Sequence, residues 1–411
     1  MFQIEGKHNI ATVYGNADTT TISQIIELCN QEALSDSKIK IMPDNHAGKG
    51  CVIGTTMTIT NAVVPNLVGV DVGCGMSVRI YEKDSTLMNF KLLDETIHKY
   101  IPSGFNVRKD IAEKIDTVLE SLNDMTFKLN NIERIKRSIG TLGGGNHFIE
   151  VNEDDNFYYL VVHSGSRNLG KQVADHHQAI AKKSLDNSIE IKALITSLRK
   201  QGRQLEINFE IKKVRNKRPR ASRDLEYLTG RCMDDYLHDM VIAQRYAMSN
   251  RAVMLDTIEE HMEWIPVDSF VTVHNYIDTN EMILRKGAIS AQVGERVIIP
   301  LNMRDGSIIA FGKGNPDWNF SAPHGAGRLM SRSQAKREIK MEDYKETMSD
   351  VWTTSVTPET LDEAPMAYKN AQSIIDVVGE TLYGIRVIKP IYNFKNSTKK
   401  RRNNHANNCP N

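Results

Sequence analysis

The sequence predicts a mixed α/β fold of the α+β kind, in which a single large domain has a strand-rich core flanked by helices. Three observations predict it. Glycine-bearing, strand-like runs occur early, in IMPDNHAGKGCVIGTTMTI and NLVGVDVGCGMSVRI, and again late, in DSFVTVHNY, ERVIIPLN and SIIAFGKG. Helical periodicity fills much of the chain between them, over residues 87–139 and 171–255. No internal repeat and no obvious linker divides the 411 residues, so one continuous domain is preferred to two.

In chain order, residues 19–34 carry Ile22, Ile25, Ile26 and Leu28 at helical spacing behind threonines able to cap, which predicts an amphipathic packing helix. The glycine-rich strands that follow end in turns able to expose side chains. Beyond the helical block, SIGTLGGGNHFIEV and YYLVVHSGSRNLG again set glycine clusters beside β-rich runs. The long helices of 171–255 are broken by a basic stretch, KKVRNKRPRASRD, with Pro219 as the interruption; a solvent-exposed insert is expected there. Arg304, Asp305 and Gly306 predict a hairpin turn between two late strands, and helical sequence resumes after His324. Residues 396–411 are lysine- and asparagine-rich and are expected to form a disordered tail.

Composition narrows the function classes. Hydrophobic residues make up 40% and charged residues 25%, as in ordinary soluble proteins, and no run of about eighteen apolar residues could span a membrane. The segment MFQIEGKHNI lacks the pattern of a signal peptide, so none is expected. Five scattered cysteines, Cys29, Cys51, Cys74, Cys232 and Cys409, make no disulfide framework, and the expected setting is reducing and cytoplasmic. The net charge of +1 does not exclude a polyanionic partner, because the positive charge is locally clustered.

The candidate chemistry is metal binding. In GVDVGCG, Asp71 and Cys74 stand three residues apart on a turn, close enough for carboxylate and thiolate to meet one ion or two adjacent ions. Alone the pair is weak. His147 in GGGNHF, His163 after YYLVV and His274 after FVTV share a context, a strand end beside a turn, that delivers imidazole to a cleft rim with its second nitrogen held by an acceptor. A histidine after an apolar strand is more often a satisfied core residue, and agreement among three moves the balance toward ligands. His8, His98, His176, His177, His238, His261 and His405 sit in helical or tail contexts where a solvated role is expected. GTLGGGNHF, HSGSRNLG, RKGA and SAPHGAGRLMSR combine glycines with Arg167, Lys286, Arg328 and Arg332, a combination suited to phosphate oxygens. None of them is a P-loop or a Rossmann fingerprint.

GVDVGCG, GTLGGGNHFIE, HSGSRNLG, HGAGRLMSR and IKPIYNFK, in that order over nearly the whole chain, resemble the RtcB family of RNA ligases. The resemblance implies a single RtcB-like domain over residues 1–395 built around a metal cleft. It also implies a GTP- and manganese-dependent ligase that joins RNA 3′-phosphate or 2′,3′-cyclic phosphate ends to 5′-hydroxyl ends in RNA splicing or repair. Cys74 would bridge two Mn²⁺ ions, one held also by His163 and His274, the other by Asp71 and His147. His324 would be the nucleophile that forms the histidine–GMP intermediate. Asn146, Phe148, Glu150, Gly325, Ala326, Gly327, Tyr368 and Lys395 would contact the guanylate, with Glu150 reading the guanine N–H edge. Asp44, Arg167, Arg328 and Arg332 would meet the RNA ends, and an archease-like activating protein is a candidate partner. One departure stands out: where many relatives carry a Pro-Gly-Ser-Met-Gly turn before the histidine motif, this chain has IPLNMRDGSIIAFGKGNPDWNFSAPHGAGR. A metal-dependent phosphoesterase acting on RNA ends without GTP is the alternative reading.

Overall fold

The computed structural model describes residues 1–48, 50–113, 115–186, 188–217 and 221–397. It is a mixed α/β structure organised by two large sheets. A seven-stranded antiparallel sheet runs, neighbour to neighbour, Arg296–Asn302, Gly306–Gly312, Leu382–Phe394, Phe148–Glu153, Phe157–Ser164, Gly75–Glu82 and Asp268–Val273. A six-stranded sheet runs Phe2–Glu5, Ile10–Val13, Ile39–His46, Ile53–Thr58, Ile283–Lys286 and Asn275–Asp278, and its one parallel pair is Ile10–Val13 with Ile39–His46. A short pair, Ala288–Ser290 with Ser321–Pro323, leads into His324.

The seven-stranded sheet is apolar on both faces because it curls. Ile149, Val151, Leu160 and Val162 pack with Leu93, Ile97, Met254 and Ile258 of the helices Phe90–Tyr100 and Gly230–Met262. Alternation sends Phe148, Tyr159 and Val161 to the opposite face, where they meet Ile298 and Ile309 from the far end of the same sheet. The two end strands touch, the Ile298 N–H donating to Thr272 Oγ1 at 3.3 Å. The largest apolar cluster joins the six-stranded sheet to the helices Thr19–Cys29, Arg167–Leu185 and Gly230–Met262.

Several local expectations are refined. The first helix spans Thr19–Cys29 and continues as a 3-10 turn at Glu32–Leu34; its cap is Asp18, accepting from the Thr21 N–H, rather than a threonine. Asp is as good a cap as Thr, so the sequence did not separate them. Residues 87–139 are only partly helical, with Phe90–Tyr100, Asp116–Ser121 and Ile132–Lys136 separated by irregular segments. The hairpin holds, pairing Asn302 with Gly306. The basic stretch continues the helix Ile207–Lys217, while residues 218–220 lie outside the described residues, as do 398–411, most of the tail set apart by composition. His177 is not solvated: it is 1% exposed at the interface of two helices, its Nε2 2.7 Å from Asp239 Oδ2. A helical position two turns wide of any turn gave no hint of that buried partner. Among the described residues, no helix is long and apolar enough to cross a membrane.

Candidate active site

Antiparallel pairing assembles the site. Four neighbouring strands alternately begin and end at one edge of the seven-stranded sheet, and each delivers a donor there. His147 precedes Phe148–Glu153, His163 nearly ends Phe157–Ser164, Cys74 precedes Gly75–Glu82, and His274 follows Asp268–Val273. The His274 N–H donates to the Cys74 carbonyl at 2.9 Å, fixing two of these ends against each other.

The donors converge. Cys74 Sγ lies 3.3 Å from His163 Nε2 and 3.5 Å from His147 Nε2; His163 and His274 bring their Nε2 atoms to 3.3 Å; His147 Nε2 is 2.9 Å from Asp71 Oδ2. Two overlapping groups result, Cys74 with His163 and His274, and Asp71 with Cys74 and His147, sharing the thiol. Burial first, and then neighbouring cationic groups, push His163 and His274 well below the ordinary histidine range, so both are neutral with lone pairs available. Burial and the Asp71 charge push the Cys74 thiol well up. Burial would raise Asp71 as well, but His147, Cys74 and Arg167 outweigh it and hold the carboxyl at about 2. Neutral imidazoles, an ionised carboxylate and a thiol disfavoured as the free anion form a donor set that a divalent cation completes, since coordination deprotonates the thiol. The residues fit a metal. One detail departs from expectation: His147 Nδ1 is held by the Leu142 carbonyl at 2.8 Å, whereas the buried Nδ1 atoms of His163 and His274 have no protein partner among the described residues.

Glycine makes the close approach workable. A Cβ at Gly165 would run into the Asp71 carboxylate, and one at Gly143, where φ is +86°, would run into the Arg167 guanidinium. Arg167 itself has φ +56°, a left-handed backbone rare for a side-chain-bearing residue, and its guanidinium donates to Thr141 Oγ1 at 3.2 Å and to the Gly104 carbonyl at 2.9 Å.

Beside the cluster lies a cavity of about 800 Å³, within the range of small-molecule sites. Every residue proposed for guanylate contact lines it: Asn146, Phe148, Glu150, Gly325, Ala326, Gly327, Tyr368 and Lys395, together with His163, His324, Arg328 and Arg332. Pro300, Leu301, Asn302 and Met303, from the divergent segment, form another part of the wall. His324 stands at the junction, its ring 5.0 Å from that of His274. The carboxylate of Asp44 lies buried beneath it, accepting from His324 Nδ1 at 2.7 Å and from the backbone N–H groups of His324 and Gly325 at 3.1 and 3.2 Å. Asp44 therefore supports His324 and presents no open surface to RNA. A carboxylate only accepts, so Nδ1 carries a proton, and in the neutral ring Nε2 keeps its lone pair.

Sequence reasoning missed three groups. Glu363 is the hub of one wall: it accepts from Lys395 Nζ at 3.1 Å and Tyr368 Oη at 2.7 Å, and it pairs with Arg332. Burial raises its carboxyl, but Lys395, Arg332, the Tyr368 hydroxyl and Arg328 hold it at about 2. Arg328 and Arg332 thus arrive already partnered, Arg328 also stacking over the Tyr368 ring at 5.0 Å. Arg251, fully buried on the helix Gly230–Met262, donates from Nη1 to the Gly73 and Ser164 carbonyls at 2.9 and 2.8 Å and from Nε to Ser77 Oγ at 3.0 Å. It ties the Cys74 turn to the strand end that carries His163. His46, within the run IMPDNHAGKG, drew no assignment from the sequence; it also lines the cavity. Glu363 and Arg251 sit in plain helical or turn sequence, and no local signal marks them.

A family model described as "tRNA-splicing ligase RtcB" matches residues 27–130 and 119–396. Among curated proteins, an "RNA-splicing ligase RtcB" of Escherichia coli strain K12 is 29% identical over 393 residues, covering 85% of this chain and 88% of that protein. A "tRNA-splicing ligase RtcB" of Aeropyrum pernix is 25% identical over 426 residues, covering 82% of this chain and 83% of its own.

Proposed function

Because the chain belongs to the RtcB family, and is therefore an RNA ligase with an RNA substrate, we propose that it joins RNA 3′-phosphate or 2′,3′-cyclic phosphate ends to 5′-hydroxyl ends with GTP and Mn²⁺. The reaction passes through a histidine–GMP intermediate on His324. The observation that carries this reading is the Asp44–His324 pair, whose bare Nε2 stands between the donor cluster and the cavity.

Two Mn²⁺ ions would be held, one by Cys74, His163 and His274, the other by Asp71, Cys74 and His147. When bound, they offset negative charge on the transferring and leaving phosphates. Mn²⁺ rather than Zn²⁺ follows from the family, since this donor set would bind zinc at least as tightly. His324 Nε2 attacks the α-phosphorus of GTP; an N–P bond forms and the P–O bond to pyrophosphate breaks. A cyclic end is first opened by water, the P–O2′ bond breaking to leave a 2′-hydroxyl and a 3′-phosphate; an oxygen of the 3′-phosphate then takes the guanylate and frees the imidazole. Finally the 5′-oxygen bonds to the RNA phosphorus, and GMP leaves with the electron pair. Arg167, Arg328 and Arg332 receive the RNA phosphates, with the Asp362 and Glu363 pairings setting the orientation of the last two. Residues 1–395 form the catalytic unit, the work is cytoplasmic, in tRNA splicing or RNA repair, and an archease-like protein is an activating partner.

The test is direct. Wild-type protein given Mn²⁺ and α-labelled GTP is expected to acquire an acid-labile, alkali-stable guanylate label. Cleavage of cyclic phosphate ends with no label would instead establish the phosphoesterase alternative.

Guanine recognition carries a pH signature. Burial pushes the Glu150 carboxyl up to about 7, against the opposing effects of Asn152, Asn393 and Lys395, and Asn152 Nδ2 and Asn393 Nδ2 donate to its oxygens at 2.8 and 2.6 Å. Guanine N–H groups favour the ionised form, so GTP affinity is expected to rise with pH and level off above about 7, and Glu150→Gln should remove the dependence. Equilibrium binding across that range checks it; a flat wild-type profile would count against Glu150 as the guanine acceptor.

A further inference from the structure

Resting on the ligase reading, we propose that His46 is the proton acceptor for the RNA 5′-hydroxyl in the final joining step. His46 ends the strand Ile39–His46, two residues beyond Asp44, so one strand end supplies both the support of the nucleophile and a second imidazole on the wall of the same cavity. Its Nδ1 lies 3.0 Å from the Asp44 carbonyl oxygen. A carbonyl can only accept, so Nδ1 bears the proton and Nε2 is a bare lone pair, with no protein partner among the described residues.

The other bases lining this cavity are engaged. His163 faces Cys74 and His274, His324 is committed to the guanylate, Glu150 accepts from two asparagines, and Glu363 is neutralised by Lys395 and Arg332. Asp18 caps the helix Thr19–Cys29. The groups facing His46 are His324, Lys369 and Asp44; burial, His324 and Lys369 favour the neutral ring, which Asp44 only partly opposes. Lys369 cannot take the role, since its Nζ donates to the Pro43 and Asn45 carbonyls at 3.3 and 3.0 Å.

In the step, the 5′-oxygen bonds to the activated 3′-phosphorus while its proton passes to His46 Nε2. The P–O bond to GMP breaks and GMP carries away the electron pair. The imidazolium then returns its proton to solvent. Labelling of His324 and guanylate transfer to the RNA 3′-phosphate involve no hydroxyl proton and do not need His46.

His46→Asn separates the roles, because its side-chain amide can still donate to the Asp44 carbonyl but offers no base. With Mn²⁺, α-labelled GTP and RNA bearing the two end types, enzyme labelling and formation of the guanylylated RNA end are expected within about threefold of wild type, while single-turnover joining falls ~10²–10⁴-fold and loses the acidic limb of its pH profile. Unchanged joining overturns the assignment, and so does an equal loss in labelling and joining, which would mark His46 as structural. Absence of label in the wild type would overturn the ligase reading itself, and this proposal with it.

Discussion

His324→Ala is expected to take up no guanylate label from α-labelled GTP and to join no RNA ends, with folding and metal content unchanged. The side chain is partly exposed and packs no core, so truncation removes the nucleophile without opening a buried cavity. Asp44→Asn is the informative companion. An amide can turn its NH₂ toward Nδ1 and favour the tautomer protonated on Nε2, so labelling should fall ~10²–10⁴-fold, as for a triad histidine whose carboxylate partner is replaced by its amide. Equal labelling in Asp44→Asn and wild type would show that the pair does not set the tautomer.

Cys74→Ala is expected to lose both metal and activity. The thiol belongs to both donor groups, so one substitution leaves each with two protein donors. Removing a shared thiolate should cost far more than the ~10–100-fold typical of losing an outer partner of a ligand. Metal analysis of the purified variant, with guanylate labelling beside it, reads the result. Unchanged metal content and labelling would sink the shared-thiolate arrangement. His147→Ala, which touches one group only, should retain more metal than Cys74→Ala.

The candidate donors were legible because they sit at strand ends, most of them beside glycine-rich turns, a pattern local enough to be read from the sequence. GVDVGCG and HSGSRNLG each carry that signature in fewer than ten residues. Their convergence was not legible, because it depends on which strands neighbour one another, and sheet order is a long-range property. The same reason hides Arg251, whose partners lie near two distant turns, and Glu363, whose cations come from two separate segments, Arg328 with Arg332 and Lys395. Residues 87–139 carry helical periodicity, yet the described helices there are short, Phe90–Tyr100, Asp116–Ser121 and Ile132–Lys136, and the first is followed by Pro102 and Gly104, which do not continue a helix. His177 shows the converse, a helical histidine whose role is set by Asp239 on a different helix.

The alternation of strand ends at one sheet edge also bears on how the protein folds. From Asp71 to His274 the donors are spread over roughly 200 residues, so their meeting closes long loops and comes after much of the chain has ordered. A slip of one residue in any of the four strands would turn its donor toward the opposite face. An ion bound there would therefore act as a proofreader of sheet register, rewarding the one alignment in which all four edges agree.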